Sequence, residues 1–308
     1  MEAPNPFTER GIIRDPKRFF GRKHELKQIF ERLAAMQSVS IVGERRIGKS
    51  SLLAVITATG TERLGKDYEF HYIDLQLVGS TEDFIARALD ALNAEGETMR
   101  DLERALASRK VVLCLDEFEQ SGNYSKDFFT ALRGIASNGE LALVVASQHK
   151  LADLASNGVT TSPFFNIFTS LWLGAMDRQE SAALLNGLGQ LANRTFTDNE
   201  IEAAYQETRG NPWKLQIFGY YLVETGDLVR ATEQYRQELA RTRPRGGAST
   251  RPMGNRLAAV LLIAASLIGF LSIILNLIVP GMILALALLL LSFLIEGLRG
   301  LRQHGAAH

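Results

Sequence analysis

Residues 43–50 read Gly-Glu-Arg-Arg-Ile-Gly-Lys-Ser and match the pattern G-x-x-x-x-G-K-[ST]. They lie between an apolar run, Ser38–Val42, and a run of helical character that opens at Ser50, which is the context the motif requires. Glycines at both ends let successive backbone N–H groups curl round a phosphate. A helix N-terminus adds partial positive charge. Lys49 is then expected to reach the β- and γ-phosphates and Ser50 to ligate Mg2+, with Gly43, Arg46, Gly48 and Ser51 among the nucleotide contacts. The competing reading is a plain glycine turn ahead of a helix.

Val111–Leu115 is an apolar strand that ends in Asp116 and Glu117. In a phosphate-loop sheet this strand is expected beside the loop. Asp116 would hold Mg2+ through water, and Glu117 would orient or deprotonate the attacking water. Taken alone, the pair reads equally well as solvated acids, and its coupling to the phosphate loop favours the chemical reading. Leu143–Ala146 leads into Ser147 and Gln148, candidates for contact with a γ-phosphate or the lytic water, or simply a polar strand end. Arg45, Arg46 and Arg133 are candidate arginine fingers, with an ordinary surface role as the alternative for each. Cys114 alternates with apolar neighbours and reads as core. His24, His71 and His149 are scattered without metal-ligand spacing. The glycosylation sequons at Asn123 and Asn193 carry no weight in a cytosolic domain.

The elements that must position these groups follow from periodicity. Strands are expected at Ser38–Val42, Tyr68–Leu77, Lys110–Leu115, Leu141–Ala146 and Phe168–Leu173. Helical stretches lie between them at Ser50–Thr59, Thr81–Leu92, Thr98–Ser108 and Lys126–Ala136. An earlier helix presents Leu26, Ile29, Phe30 and Leu33 on one face. This alternation predicts an α/β fold, a P-loop three-layer sandwich with a mostly parallel sheet. From Asp177 only helical patterns follow: Asp177–Gly187 and Asp198–Arg209, with the two aspartates as N-caps, then Trp213–Thr225 and Asp227–Arg241. They predict a small all-α domain, partly winged-helix-like.

The chain has 308 residues, 34 basic against 34 acidic, and a mean hydropathy of +0.00. That average hides an uneven distribution. Residues 257–295 form a run of 39 without a single charged residue or histidine. Such a run excludes a purely soluble protein, a disordered chain and, with one cysteine, a disulfide scaffold. As one helix it would span about 58 Å, about twice the hydrocarbon thickness of a bilayer. Pro280-Gly281 interrupts it, so a hairpin of two membrane helices is expected, Leu257–Val279 and Met282–Leu298. Arg245, Arg251 and Arg256 flank one end and Arg299 and Arg302 the other, which places both termini and the catalytic domain on the cytoplasmic side of the inner or cell membrane. The start, MEAPNPFTERG, lacks the apolar stretch of a cleavable signal peptide. The near-neutral charge balance gives no expectation of sequence-specific nucleic-acid binding. The resulting domain map is 1–175 ATPase, 176–240 helical lid, 241–256 arginine-rich linker, 257–298 hairpin and 299–308 tail.

Phe19-Phe20-Gly21-Arg22-Lys23-His24-Glu25-Leu26 resembles the F-x-G-R-x-x-E-L box ahead of the phosphate loop in STAND-type and related AAA-like ATPases. The segments IVGERRIGKSSLL and LCLDEFE are similar to their phosphate loop and acid-tipped strand. Arg209-Gly210-Asn211-Pro212-Trp213 resembles the G-x-P motif of their helical domain. The resemblance covers residues 7–240 and places Gly21, Arg22 and Pro212 near the base of ATP or ADP. It implies a switch, ADP-bound and closed at rest, ATP-bound and homo-oligomeric when triggered. Unlike most of that group, this sequence shows no sensor repeats, so a separate sensor or trigger protein is expected. The hairpin would be a transmembrane effector, for antiviral defence or programmed death, built around Ala265, Gly269, Ser266, Ser272 and Asn276. The alternatives are a passive lipid anchor for a scaffold that recruits a partner, and a DNA-handling AAA-like ATPase.

Overall fold

The computed structural model describes residues 4–151, 153, 164–242 and 285–295. The chain divides into two compact units, Met1–Gln237 and Glu238–His308. In the first, five strands form one sheet: β1 (Ser38–Val42), β2 (Tyr68–Asp74), β3 (Lys110–Asp116), β4 (Leu141–Ser147) and β5 (Phe168–Trp172). Their spatial order is β2-β3-β4-β1-β5, and every neighbouring pair is parallel, so the sheet is wholly rather than mostly parallel. The expected second strand stops at Asp74, because Leu75–Leu77 turns into a 3-10 helix capped by the Asp74 side chain.

The sheet's period of two sorts its side chains into two cores. Val111, Leu113 and Leu115 of β3, with Leu141, Leu143 and Val145 of β4, face α3 (Thr81–Ala91), α4 (Met99–Leu106) and α5 (Lys126–Ser137). Val112 and Cys114, with Ala142, Val144 and Ala146, face α1 (Lys23–Ala34) and α2 (Lys49–Leu64). Both central strands are thus buried on both faces, which explains why they read as unbroken apolar runs. Burial also pushes the Cys114 thiol up to about 12, so it stays protonated, a core side chain.

Four helices follow the sheet: α6 (Arg178–Leu191), α7 (Asp198–Thr208), α8 (Pro212–Thr225) and α9 (Leu228–Thr242). Asp177 caps α6 as its position predicts. The cap of α7 is Thr197 rather than Asp198, because Thr197 and Glu200 form a reciprocal capping box. Leu215, Ile217, Phe218 and Leu222 of α8 are buried among these helices, and the Phe218 ring meets Tyr235 edge-on at 5.1 Å. No strand follows β5 among the described residues, so the winged-helix expectation gives way to a helical bundle.

Most of the predicted hairpin, the linker beyond residue 242 and the tail lie outside the described residues. Within them, residues 285–295 are helical, with Leu286, Leu290, Phe293 and Leu294 exposed. No helix among the described residues is long and apolar enough to cross a membrane.

Candidate functional site

The phosphate loop joins β1 to α2, and its fold follows from close packing. Gly43 passes so near β5 that an added Cβ would lie 2.6 Å from the Leu173 carbonyl oxygen. Gly48 takes a left-handed conformation, φ 99°, and ends the loop as the N-cap of α2. Lys49 folds back over the loop, its Nζ donating to the carbonyls of Gly43 at 2.7 Å and Glu44 at 3.0 Å. Burial lowers its pKa, while Glu119, Glu117 and Asp116 oppose that shift. A cleft of about 270 Å3 opens here, with Lys49, Ser50, Ser51, Glu117 and Gln148 on its phosphate side.

β3 is not the loop's neighbour. β4 intervenes, because in this sheet order β1 pairs with β4 and β5. Asp116 does not line the cleft, although its charge acts on Lys49. It is buried, its Oδ1 accepts from the Glu117 backbone N–H at 3.0 Å, and its Oδ2 accepts from the Tyr72 hydroxyl at 2.7 Å. Of the predicted magnesium pair, only Ser50 lines the cleft. Glu117 does reach it, from a left-handed backbone position at φ 50°. Burial, then the charges of Asp116 and Glu119, push the Glu117 carboxyl above its ordinary range, which makes it a better proton acceptor. The donors here are all oxygen, which suits a hard cation such as Mg2+. Among the described residues there is no cage of three or more metal-ligating His, Cys, Asp or Glu side chains.

Ser147 does not line the cleft. It is fully buried, its hydroxyl donates to the His149 carbonyl at 2.7 Å, and its own carbonyl accepts from the Gly43 N–H. Gln148 is held in place by its backbone N–H, which donates to the Glu119 carboxylate. Arg133 is exposed on α5 and does not line the cleft, whereas Arg45 and Arg46 do.

The wall opposite the phosphates comes from distant parts of the chain. Phe19, Phe20, Met176 and Leu184 make it apolar, and Pro212 and Trp213 bring in the first turn of α8. Gly21 lies behind this wall, where its Cβ position is 3.1 Å from the Met176 side chain. Arg22 is 3% exposed, and its guanidinium is committed to the protein. It donates to Glu25 at 2.9 Å and to the carbonyls of Ile47 at 3.3 Å and Gly174 at 2.6 Å. The box thus staples the phosphate loop to the segment after β5, and Arg22 also lines the cleft. Gly210 approaches Met176 so closely that a Cβ would sit 1.9 Å from its carbonyl oxygen, and Met176 N–H donates back to the Gly210 carbonyl.

Sequence reasoning missed the segment Glu9–Ile13, which also lines the cleft. Ile13 N–H donates to Ser51 Oγ at 3.0 Å, and Phe7 is buried in α8 at Gly219 and against Phe196. The only signal was the apolar pair Ile12-Ile13 in a polar stretch. Glu119, with one buried carboxylate oxygen lacking a hydrogen-bond partner, was also passed over.

Comparison with known proteins agrees with this fold. A Walker-type ATPase of Pyrococcus abyssi superposes with a TM-score of 0.61 at 18% identity, covering 85% of this chain and 83% of that one. The ORC2 protein of Aeropyrum pernix, in ADPNP–ADP complexes, gives 0.60 at 14% identity, covering 88% and 79%. The ORC1 protein of the same organism, in complex with DNA, gives 0.54 at 15%, covering 81% and 73%. These likenesses establish the shared fold. No curated protein matches the sequence. The family model Novel STAND NTPase 1 matches residues 6–243, the sheet, the helical bundle and the cleft between them, and the chain belongs to that family of P-loop NTPases.

Proposed function

We propose that the chain is an ATP-dependent switch in which nucleotide occupancy governs assembly and the state of a membrane-attached C-terminal segment. One observation carries the reading. Lys49, Ser50 and Glu117 of the sheet and Pro212 and Trp213 of the helical bundle line one cleft. A nucleotide there touches both parts, so its binding energy can bias their closure. Ser50 and, behind it, Asp116 would hold Mg2+, which neutralises phosphate charge, while Glu117 accepts a proton from the attacking water. ATP is the nucleotide proposed, since the sequence has no N-K-x-D guanine-reading motif.

In this reading residues 1–175 are the ATPase domain, 176–240 the lid, 241–256 the linker and 257–298 a two-span hairpin at the cell membrane, with a separate protein as trigger. The uncharged run 257–295 and the exposed leucines within 285–295 support contact with lipid. An effector role in antiviral defence extends this reading, and a passive anchor for an ATPase scaffold is its rival.

The test is ATP hydrolysis together with membrane potential in cells expressing four forms: intact, Lys49→Ala, Glu117→Gln and a chain stopped after Arg251. Lys49→Ala is expected to lose about 100-fold or more of hydrolysis, the scale of a lost transition-state donor. Glu117→Gln, which should hold ATP, is expected to depolarise cells, while Lys49→Ala and the shortened chain do not. Depolarisation by Lys49→Ala would reject the switch. Depolarisation by no form, with full-length protein in the membrane and the trigger protein supplied, would reject the effector in favour of the anchor.

A further inference from the structure

Arg46 is a candidate nucleotide contact by its place in the loop, and its guanidinium has a protein partner in the structure. It stacks over the Trp213 ring with 3.9 Å between the guanidinium carbon and the ring centroid. Trp213 is the second residue of α8, directly after Pro212. The loop reaches across to the same turn at another point, since the Cβ position of Gly48 is 3.8 Å from the Pro212 ring. Arg46 also holds a left-handed backbone, φ 64°. Residues other than glycine, asparagine and aspartate take that conformation at a cost, and it persists where surrounding contacts enforce it. Here it aims a planar cation at the best aromatic acceptor among the side chains.

The stack lies at the cleft mouth, for Arg46 and Trp213 both line it. We propose that Arg46 and Trp213 form a clasp that holds the first turn of α8 against the phosphate loop and sets how slowly a bound nucleotide leaves. This rests on the nucleotide reading above. Arg46 is then a positioning residue acting through Trp213 rather than a ligand of the phosphates. Lysine would not substitute, because its compact ammonium cannot stack as a plane. Met176 and Gly210 brace the same approach from behind, so the clasp closes on a turn already fixed in place.

The experiment is a double-mutant cycle on ADP release from the full-length protein. The protein is loaded with labelled ADP and Mg2+ and chased with unlabelled ADP. The forms are wild type, Arg46→Gln, Trp213→Leu, both together, and Trp213→Phe, with the melting temperature of each recorded. An exposed cation–π pair corresponds to roughly two- to fivefold in rate, so each single change to Gln or Leu should speed release by about that factor. The double variant should be no faster than the faster single, and Trp213→Phe, which keeps an aromatic face, should stay closer to wild type than Trp213→Leu. Single effects that multiply in the double variant would overturn the clasp, since the two residues would then act independently. So would release rates in both singles equal to wild type, or a Trp213→Phe form as fast as Trp213→Leu. A wild-type chain that binds no labelled ADP, alike with Lys49→Ala, would instead reject the nucleotide reading itself.

Discussion

At the phosphate end of the cleft, residues 43–51 bring loop, cation and hydroxyls from one short stretch, and Glu117 joins them from the next strand but one. Across from it, the wall is assembled from residues 9–13, Phe19, Phe20, Arg22, Met176, Leu184, Pro212, Trp213 and Gln216, which come from distant parts of the chain. The first region is specified locally: a glycine turn and a helix N-terminus bind phosphate by themselves. The second depends on long-range contacts, chief among them those of Arg22, which is buried, donates from its guanidinium to the carbonyls of Ile47 and Gly174 and from its backbone N–H to Glu180 of α6. The two should therefore respond differently to substitution. Changes at the phosphate end should remove chemistry, and changes at the opposite wall should first loosen the fold.

The largest effect is expected at Arg22. Arg22→Leu leaves Glu25 without its cation and the carbonyls of Ile47 and Gly174 without a donor. Removing one partner of a buried charged pair costs about 3 kcal/mol or more. Urea unfolding of the variant should show that loss, and a midpoint equal to wild type would end the distinction between the two regions. Gly210→Ala comes next. A side chain at φ 69°, pressed on the Met176 carbonyl, should cost about 2 kcal/mol. Its unfolding midpoint should fall while the phosphate loop keeps its sequence, so weakened nucleotide binding in this variant would report the wall alone. Tyr72→Phe should be mildest, about 1 kcal/mol, because it removes one hydrogen bond from Asp116 Oδ2. A Mg2+ titration sharpens the comparison here. Freed from Tyr72, Asp116 should alter the Mg2+ dependence of hydrolysis, and an unchanged titration curve would separate Asp116 from the cation.

Much of the fold was legible. The strands Ser38–Val42 and Lys110–Leu115 stand out as apolar runs because both faces are covered, and Asp177 announces α6 by capping it. The phosphate side of the site was legible for the same reason, since its chemistry is carried by consecutive residues. Sheet order was not, and the expectation that the strand of Asp116 lies beside the loop failed on the strand, β4, that separates β3 from β1. The roles of Arg22 and Arg46 were not legible either. Both stand in motifs that suggest ligand contact, and only packing shows that their guanidinium groups serve protein partners.

The amino-acid sequence by itself determined the parallel α/β class, the phosphate loop, the acid pair and the uncharged run 257–295, because each is written in neighbouring residues or a short period. Tertiary structure alone decided which acid faces the cleft, what closes its far wall and which arginines remain free for a ligand. Those outcomes depend on contacts between residues over a hundred positions apart, such as Arg22 with Gly174, and no local pattern encodes them.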